Sequence, residues 1–354
     1  MSQFIQLHLL TNYAPSNLNR DDLGRPKTAK MGGFDRLRIS SQSLKRAWRT
    51  SDVFESSLSA NIGIRTKKLG VELYNYFLKK DITSSNAKKW GKEIAKQFGK
   101  LKKEDKEKPQ IGMEIEQLVH ISPWEKEAIY KLADILIAEN RAPEEKKELA
   151  LLRKKTNAVD IALFGRMLAS SPENNVEAAA QVAHAITVNR ITVEDDYFTA
   201  LDDLNTHEED AGSAHIGESG FGSGIFYIYI CINTSLLLNN LGNDALVKKS
   251  IQALTKSAAI VAPTGKQNSY ASRARALFVM AEKGTQHPRQ LSAAFLKPVD
   301  SHDMAKEAIT RLIAMKNNMD QAYGKCSDDF RVMQATVDKF EGSLEDILAF
   351  VGEE

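Results

Sequence analysis

Residues 36–49 read Arg36-Leu-Arg-Ile-Ser-Ser-Gln-Ser-Leu-Lys-Arg-Ala-Trp-Arg49, a short basic strand running into a capped helix. Ser40 or Ser41 is placed to cap that helix by accepting a bond from a first-turn N–H. The N–H groups left over at the helix start, together with the helix dipole, favour an anion. Gln42, Lys45, Arg46 and Arg49 recur at three- and four-residue spacings and share one face. Leu44, Ala47 and Trp48 take the opposite face and are expected to pack on a core. Donors at a helix end with cations along one stripe suit a phosphate backbone. From this stretch alone, an ordinary solvated amphipathic helix reads the same way.

Further strands flank this unit. Phe4–Leu10 alternates Ile5, Leu7 and Leu9 with Phe4, Gln6 and His8, as a first strand does. Ile225-Phe-Tyr-Ile-Tyr-Ile-Cys-Ile-Asn233 is β-branched and aromatic throughout, which suits a central strand buried on both faces. Ala276–Ala281 reads as another buried strand, and Thr187–Thr192 is β-prone. Helices are expected over 244–261, 304–317 and 344–351, with a loop at Thr264–Ser269. With the central block left out, the order is strand, helix, strands, helix, strand. That order suits an α+β fold with a ferredoxin-like or RNA-recognition-motif sheet.

The block 60–155 is Lys/Glu-rich and helical in pattern over 71–80, 87–98, 124–139 and 144–155. From Arg65 to Pro109 it carries fourteen Lys/Arg against six Asp/Glu. Taken singly, each lysine reads as solvated surface; as a group they attract a polyanion in a salt-dependent way. Gly99–Pro109 is expected to be an exposed loop. Asp160–Ser170 reads as a strand or extended segment broken by a glycine. Val176–Ile186 has helical spacing, and His184 within it is read as a packed core residue. Residues 194–210 hold eight acidic residues and no Lys or Arg, and Gly212–Gly224 is a Gly/Ser-rich loop or hairpin end.

The chain has 354 residues and a net charge of only +2, so affinity for a polyanion must come from local clusters. One such cluster lies between Arg20 and Arg49, with nine basic residues against three acidic ones. Two cysteines without metal or redox spacing suit a reducing compartment. The N-terminal residues are unlike a signal peptide, and the strongest apolar run, Ile225–Ile232, is too short to span a bilayer. A soluble cytoplasmic protein with no membrane partner is expected.

Signatures of catalysis are sparse. The seven histidines form no metal-ligand pair, Gly265-Lys266 lacks the upstream glycine of a P-loop, and the Gly220–Gly224 serine is wrongly spaced for a nucleophile elbow. The acidic pairs Asp21-Asp22, Asp195-Asp196, Asp202-Asp203 and Asp328-Asp329 are candidate Mg²⁺ ligands or plain loop solvation. Asp21-Asp22 is singled out because it sits in the basic loop beside Arg20. No cofactor, no metal and no enzymatic role are expected; the alternative is a metal-dependent endoribonuclease using Asp21 and Asp22.

Several segments together resemble the CasC family, backbone subunits of the type I-E CRISPR surveillance complex, Cascade. They are Asn19-Arg-Asp-Asp22, Gly32-Gly33, Arg38–Ala47, Val159-Asp-Ile-Ala-Leu-Phe-Gly-Arg-Met167, Ala183-His-Ala-Ile-Thr187, Phe198-Thr-Ala200, Asp202-Asp-Leu204 and Gly212-Ser-Ala-His215. They follow the family's order over roughly the first two-thirds of the chain. The resemblance implies a hand-like subunit: an RNA-recognition-motif palm (1–59, 181–190 and 226–354), a helical fingers insertion (60–180) and a β-hairpin thumb (191–225). It implies a non-catalytic protein that polymerises with further copies of itself along a CRISPR RNA (crRNA). The implied partners also include target DNA paired to that guide and the other Cascade subunits.

By the same resemblance, Arg20, Lys27, Arg38, Ser40, Gln42, Lys45, Arg46 and Arg49 are implied contacts to RNA backbone. Arg166 and Met167 are implied near a displaced base, with Met167 as an apolar wedge. Tyr197 and Phe198 fill the family's aromatic pair, and Lys266 and Gln267 its loop beside the phosphates. Departures are Tyr197 where the family usually has Trp, Asn268-Ser269 in place of a more basic pair, and an acidic insertion at 205–211. Lys102, Lys103, Lys106 and Lys108 are candidate non-specific contacts to target duplex.

Overall fold

β-branched and aromatic residues along 225–233 and 276–281 draw these segments into the middle of a sheet, where both faces exclude water. In a computed structural model, which describes residues 3–144, 148–200 and 215–353, the strands are β1 (Phe4–Ser16), β2 (Thr28–Met31), β3 (Phe34–Ile39), β4 (Ile64–Thr66), β5 (Val119–Ile121), β6 (Ala180–Val182), β7 (Ala185–Thr187), β8 (Glu194–Ala200), β9 (His215–Asn233), β10 (Ala276–Gly284), β11 (Asp329–Ala335) and β12 (Phe340–Glu341). The chain is α+β, with a large sheet and, among the described residues, eleven α-helices. It divides into two units: residues 1–54, 181–232 and 251–354 form the first, and residues 55–180 with 233–250 the second.

The first unit is built on a ten-stranded sheet of order β12-β11-β10-β1-β9-β7-β3-β2, with β6 and β8 also pairing with β9. β1 runs antiparallel to β10 from Phe4 opposite Gly284 to Leu10 opposite Phe278. One face buries Leu10, Ile225, Tyr227, Phe278 and Met280 against Ala308, Ile309 and Leu312 of the helix Met304–Tyr323. On the other face the Lys283 ammonium lies 4.7 Å over the Phe350 ring of the helix Leu344–Gly352.

A polar knot sits within the first of these faces. The Leu291 N–H donates to the Tyr227 hydroxyl (3.1 Å), which donates to His8 Nδ1 (2.8 Å). That order leaves His8 Nε2–H to donate to Glu282 (3.0 Å), which also accepts from Arg289 and Ser327. Burial pushes the His8 imidazole down, against the pull of Glu282. Burial alone would push the Glu282 carboxyl up, but the bonds from His8 and Arg289 hold it well below the usual range.

β2 and β3 form a hairpin closed by Gly32 and Gly33, both at positive φ (60° and 86°), as a two-residue turn of the right twist requires. A Cβ at Gly32 would stand 1.8 Å from the Leu296 carbonyl oxygen, so this turn is closely backed. Arg36 opens the basic stretch yet is fully buried, donating to the carbonyls of Thr187, Val188 and Phe295.

The second unit packs the helices Leu69–Leu78, Ser84–Lys96 and Pro123–Glu139 around Leu73, Phe77, Trp90, Ile94, Ile129 and Leu136. The short ladder β4–β5 joins them.

Four local expectations are corrected. Val159–Phe164 is a helix ended by Gly165 at φ 80°, not a strand. Five of its six residues are buried and the sixth, Phe164, is apolar, so no polar face existed to reveal the period. Residues 176–186 are not helical; they supply β6 and β7, because pairing with β9 overrides the helical spacing. Residues 148–155 form no helix; Leu151 instead turns into the core. The 264–269 loop contains one helical turn, Gln267–Tyr270, flanked by left-handed Lys266 and Ala271. Among the described residues no helix is long and apolar enough to cross a membrane.

Candidate nucleic-acid interface

The helix α1 (Ser41–Arg49) is capped by Ser40, whose hydroxyl accepts from the Ser43 N–H at 3.3 Å. Its first turn contains no acid and its last turn contains Arg46 and Arg49, so nothing on the helix cancels the positive N-terminal end. Leu44 and Trp48 are buried, which turns Gln42 and Arg46 outward and leaves Lys45 and Arg49 half-buried. Partial burial pushes the Lys45 ammonium down.

The loop before β2 is fastened to this helix start. The Asn19 side chain accepts from the Ser40 N–H (2.8 Å) and the Asn19 carbonyl accepts from the Lys27 N–H (2.8 Å). Arg20 stands exposed beyond it, and a groove of about 530 Å³ opens between Arg20, Ser43, Arg46 and Thr264. Asp21 and Asp22 line the same groove. The Asp21 carboxylate accepts from the Leu23 and Arg25 N–H groups at 3.0 and 2.9 Å, so it shapes the turn. Asp195 pairs with Arg25, and Asp328 accepts from Gln286 and the Thr285 N–H. Among the described residues no three His, Cys, Asp or Glu side chains converge on a cation position.

Arg38 reaches His184, with Nη1 donating to Nδ1 at 3.2 Å, and the Ser41 N–H donates to the same nitrogen at 3.3 Å. An Nδ1 that accepts twice assigns the neutral Nε2–H tautomer. Partial burial, then Arg38 and Lys27, push the His184 imidazole down, in keeping with that tautomer. His184 is exposed and lies outside any helix, which corrects its reading as a core residue.

Lys266 donates from Nζ to the Ser219 hydroxyl at 2.6 Å, at the base of the β8–β9 hairpin. The Gln267 carbonyl oxygen of the side chain accepts from Ser272, and its amide nitrogen is buried without a partner. In the hairpin Tyr197 pairs with Glu218 and Phe198 with Gly217. Adjacent strand residues face opposite sides, so these aromatics do not form one surface. The Phe198 ring fills the space where Gly217 lacks a Cβ, whereas Tyr197 is 66% exposed.

Within the second unit Arg166 is not at the surface. Its guanidinium, 2% exposed, donates to both oxygens of Glu125 (2.7 and 2.9 Å) and to the carbonyls of His120, Arg153 and Asn174. The expected RNA contact at Arg166 is therefore withdrawn: it is a buried structural cation. Met167, next in sequence, is 84% exposed at the lip of a notch of about 270 Å³ lined by Phe98, Leu118 and Leu168. Lys102 is held by Glu114 at 2.6 Å, while Lys103, Lys106 and Lys108 are exposed. Asp202-Asp203, the insertion 205–211 and residues 212–214 lie outside the described residues, while 215–224, expected as a loop or hairpin end, are strand within β9.

The sequence matches the CT1975-like protein family over residues 5–349. The chain belongs to that family. It is similar to a chain of a solved "CRISPR RNA-guided surveillance complex, pre-nicking", with 27% identity, 98% and 99% of the two chains covered and a TM-score of 0.86. A chain from a second solved "CRISPR RNA-guided surveillance complex" shares the fold at 22% identity, with 98% and 99% covered and a TM-score of 0.74. No curated protein matches. Membership of the CT1975-like family, with these likenesses, meets the CasC resemblance read from the sequence.

In this CT1975-like chain the first unit brings Arg20, Lys27, Arg38, Ser40, Gln42 and Arg46 together around one helix start and its docked loop. Asn19 and His184 complete that group and were not singled out as site residues. A polar residue beside a conspicuous cation carries no period of its own; Asn19 is legible only as the Asx neighbour of a turn.

Proposed function

We propose that this chain is the crRNA-holding backbone subunit of a type I-E-like Cascade complex and is not itself a catalyst. The observation that carries the reading is the docked pair of loop 19–27 and capped helix start, which presents donors and cations together. Sequence-blind grip on a guide needs backbone contacts. Arg20, Lys27, Arg38 and Arg46 supply charge, Ser40 and Gln42 polar contact, and Lys45, Arg49, Lys266 and Gln267 the margins. Likeness over nearly the full length of a chain from an RNA-guided surveillance complex supports the same reading.

In this proposal the first unit is an RNA-recognition-motif palm, the second the fingers, and the β8–β9 hairpin a thumb. Met167 wedges against a displaced base and Tyr197 stacks on one. Copies of the chain line up along the guide, which then pairs with target DNA alongside the other Cascade subunits in the cytoplasm. The turn-forming role of Asp21, whose Oδ1 accepts from two backbone N–H groups, supports the non-catalytic reading over a ribonuclease.

The test is purification of the tagged chain from cells expressing a CRISPR array and partner subunits. A uniform-length RNA carrying spacer sequence, bound by several copies, is expected. A monomer free of nucleic acid would overturn the proposal.

A further inference from the structure

Three links join the base of the β8–β9 hairpin to the loop that carries Arg20. Asn17 is fully buried, and its side-chain nitrogen donates to the carbonyls of Gly24 (3.0 Å), in that loop, and Gly220 (2.9 Å), in β9. Arg25 pairs with Asp195 of β8 at 2.9 Å. Lys266 bonds Ser219 of β9 from a loop whose Gly265 backs onto Leu18, where a Cβ would stand 2.2 Å from the carbonyl oxygen.

The links are unequal. Arg25 and Asp195 are 46% and 41% exposed, and such pairs contribute little. Asn17 is decisive because its loss takes the donor from the buried Gly220 carbonyl and cuts the bridge to Gly24 at the same time. Its own side-chain oxygen has no partner, so the fold uses this residue for its two donors. A flipped amide would set that oxygen against both carbonyls, which fixes the orientation.

We propose that Asn17 is a positioning residue that couples the Arg20 loop to the β8–β9 hairpin, so that RNA seated on the loop also fixes the hairpin. The inference rests on the RNA-holding function proposed above. Asn17 itself contacts no RNA, being wholly buried. Loading Arg20 stiffens the loop, the Gly24–Asn17–Gly220 bridge passes that order to β9, and β9 passes it to β8 through their ladder.

Hydrogen exchange of the full chain, with and without a saturating single-stranded RNA of mixed sequence, tests this in a Tyr197→Ala parent, which removes the direct stacking contact from the hairpin. In the parent RNA is expected to slow exchange at residues 36–46 and at 194–199. Adding Asn17→Ala should leave the slowing at 36–46 and abolish that at 194–199. Adding Asn17→Ser, which keeps one donor, should weaken it and serves if Asn17→Ala does not fold. Equal slowing at 194–199 with and without the Asn17 substitutions would overturn the coupling, as would none at 194–199 in a parent protected at 36–46. No slowing at 36–46 in the wild type would overturn the RNA-holding function, and the coupling with it.

Discussion

Arg166 is the residue on which family resemblance and geometry disagree most, and replacing it by Met separates the two. Arg166 reaches both oxygens of Glu125 from Nη1 and satisfies the carbonyls of His120, Arg153 and Asn174. Glu125 keeps bonds from the Ser122 N–H, the Ser122 hydroxyl and the Arg153 N–H, but its side chain is 1% exposed and its charge would have no counter-ion. Breaking a buried pair from one side costs about 3–5 kcal/mol, because a charge is left unpaired. At about 2–4 °C per kcal/mol, Arg166→Met should lower the thermal transition of the second unit by roughly 6–20 °C. Adding Glu125→Leu should recover much of that loss, since removing both charges removes the unpaired one. Calorimetry supplies the transitions, and RNA titration well below them supplies the affinity, which should match the wild type. A variant that melts like the wild type but binds RNA many-fold more weakly would refute the structural assignment.

Acid should unfold the first unit through its polar knot. His8, held neutral, withdraws stability as pH falls below the ordinary histidine value of 6.5, where the unfolded chain takes up a proton that the folded one does not. Glu282, held ionised, withdraws more as pH falls below the ordinary 4.5; a melting temperature flat from pH 7 to 4 would contradict both signs. Tyr197→Ala should leave the melting temperature unchanged and weaken single-stranded RNA binding by about 1–3 kcal/mol, the worth of one stacked base; unchanged affinity in a filter-binding titration would remove Tyr197 from the interface. Gly32→Ala should destabilise the chain, since the new methyl meets the Leu296 carbonyl at a positive-φ position, and a melting temperature at or above wild type would contradict the close backing.

The legible parts of the fold were those whose local pattern and tertiary role agree. The 225–233 and 276–281 strands are legible because burial on both faces demands an unbroken apolar run, and the serine pair 40–41 marks the start of α1, capped by Ser40, while Leu44 and Trp48 mark its inner face. Where every side of an element is buried, period vanishes, and Val159–Phe164 could not be told from a strand. Residues 180–187 became strands only because β9 was there to pair with them. The site divided in the same way. Charges on α1 were placed by its helical period, but the burial of Arg166 depends on Glu125, forty-one positions away in sequence, and His184 meets Arg38 from 146 positions away. Tyr197 and Phe198 take opposite sides by strand geometry; the missing Cβ at Gly217 lets the Phe198 ring lie over it, and both rings stay exposed, 66% for Tyr197 and 43% for Phe198.

The most direct test of the central claim is a titration of the full chain against two single-stranded RNAs of equal length and unrelated sequence over a range of salt. Phosphate grip predicts equal affinities, each falling with a log–log slope of about −0.7 per neutralised phosphate, and Arg46→Ala reducing both slopes alike. An affinity that depends on sequence, or one that salt does not weaken, would contradict it.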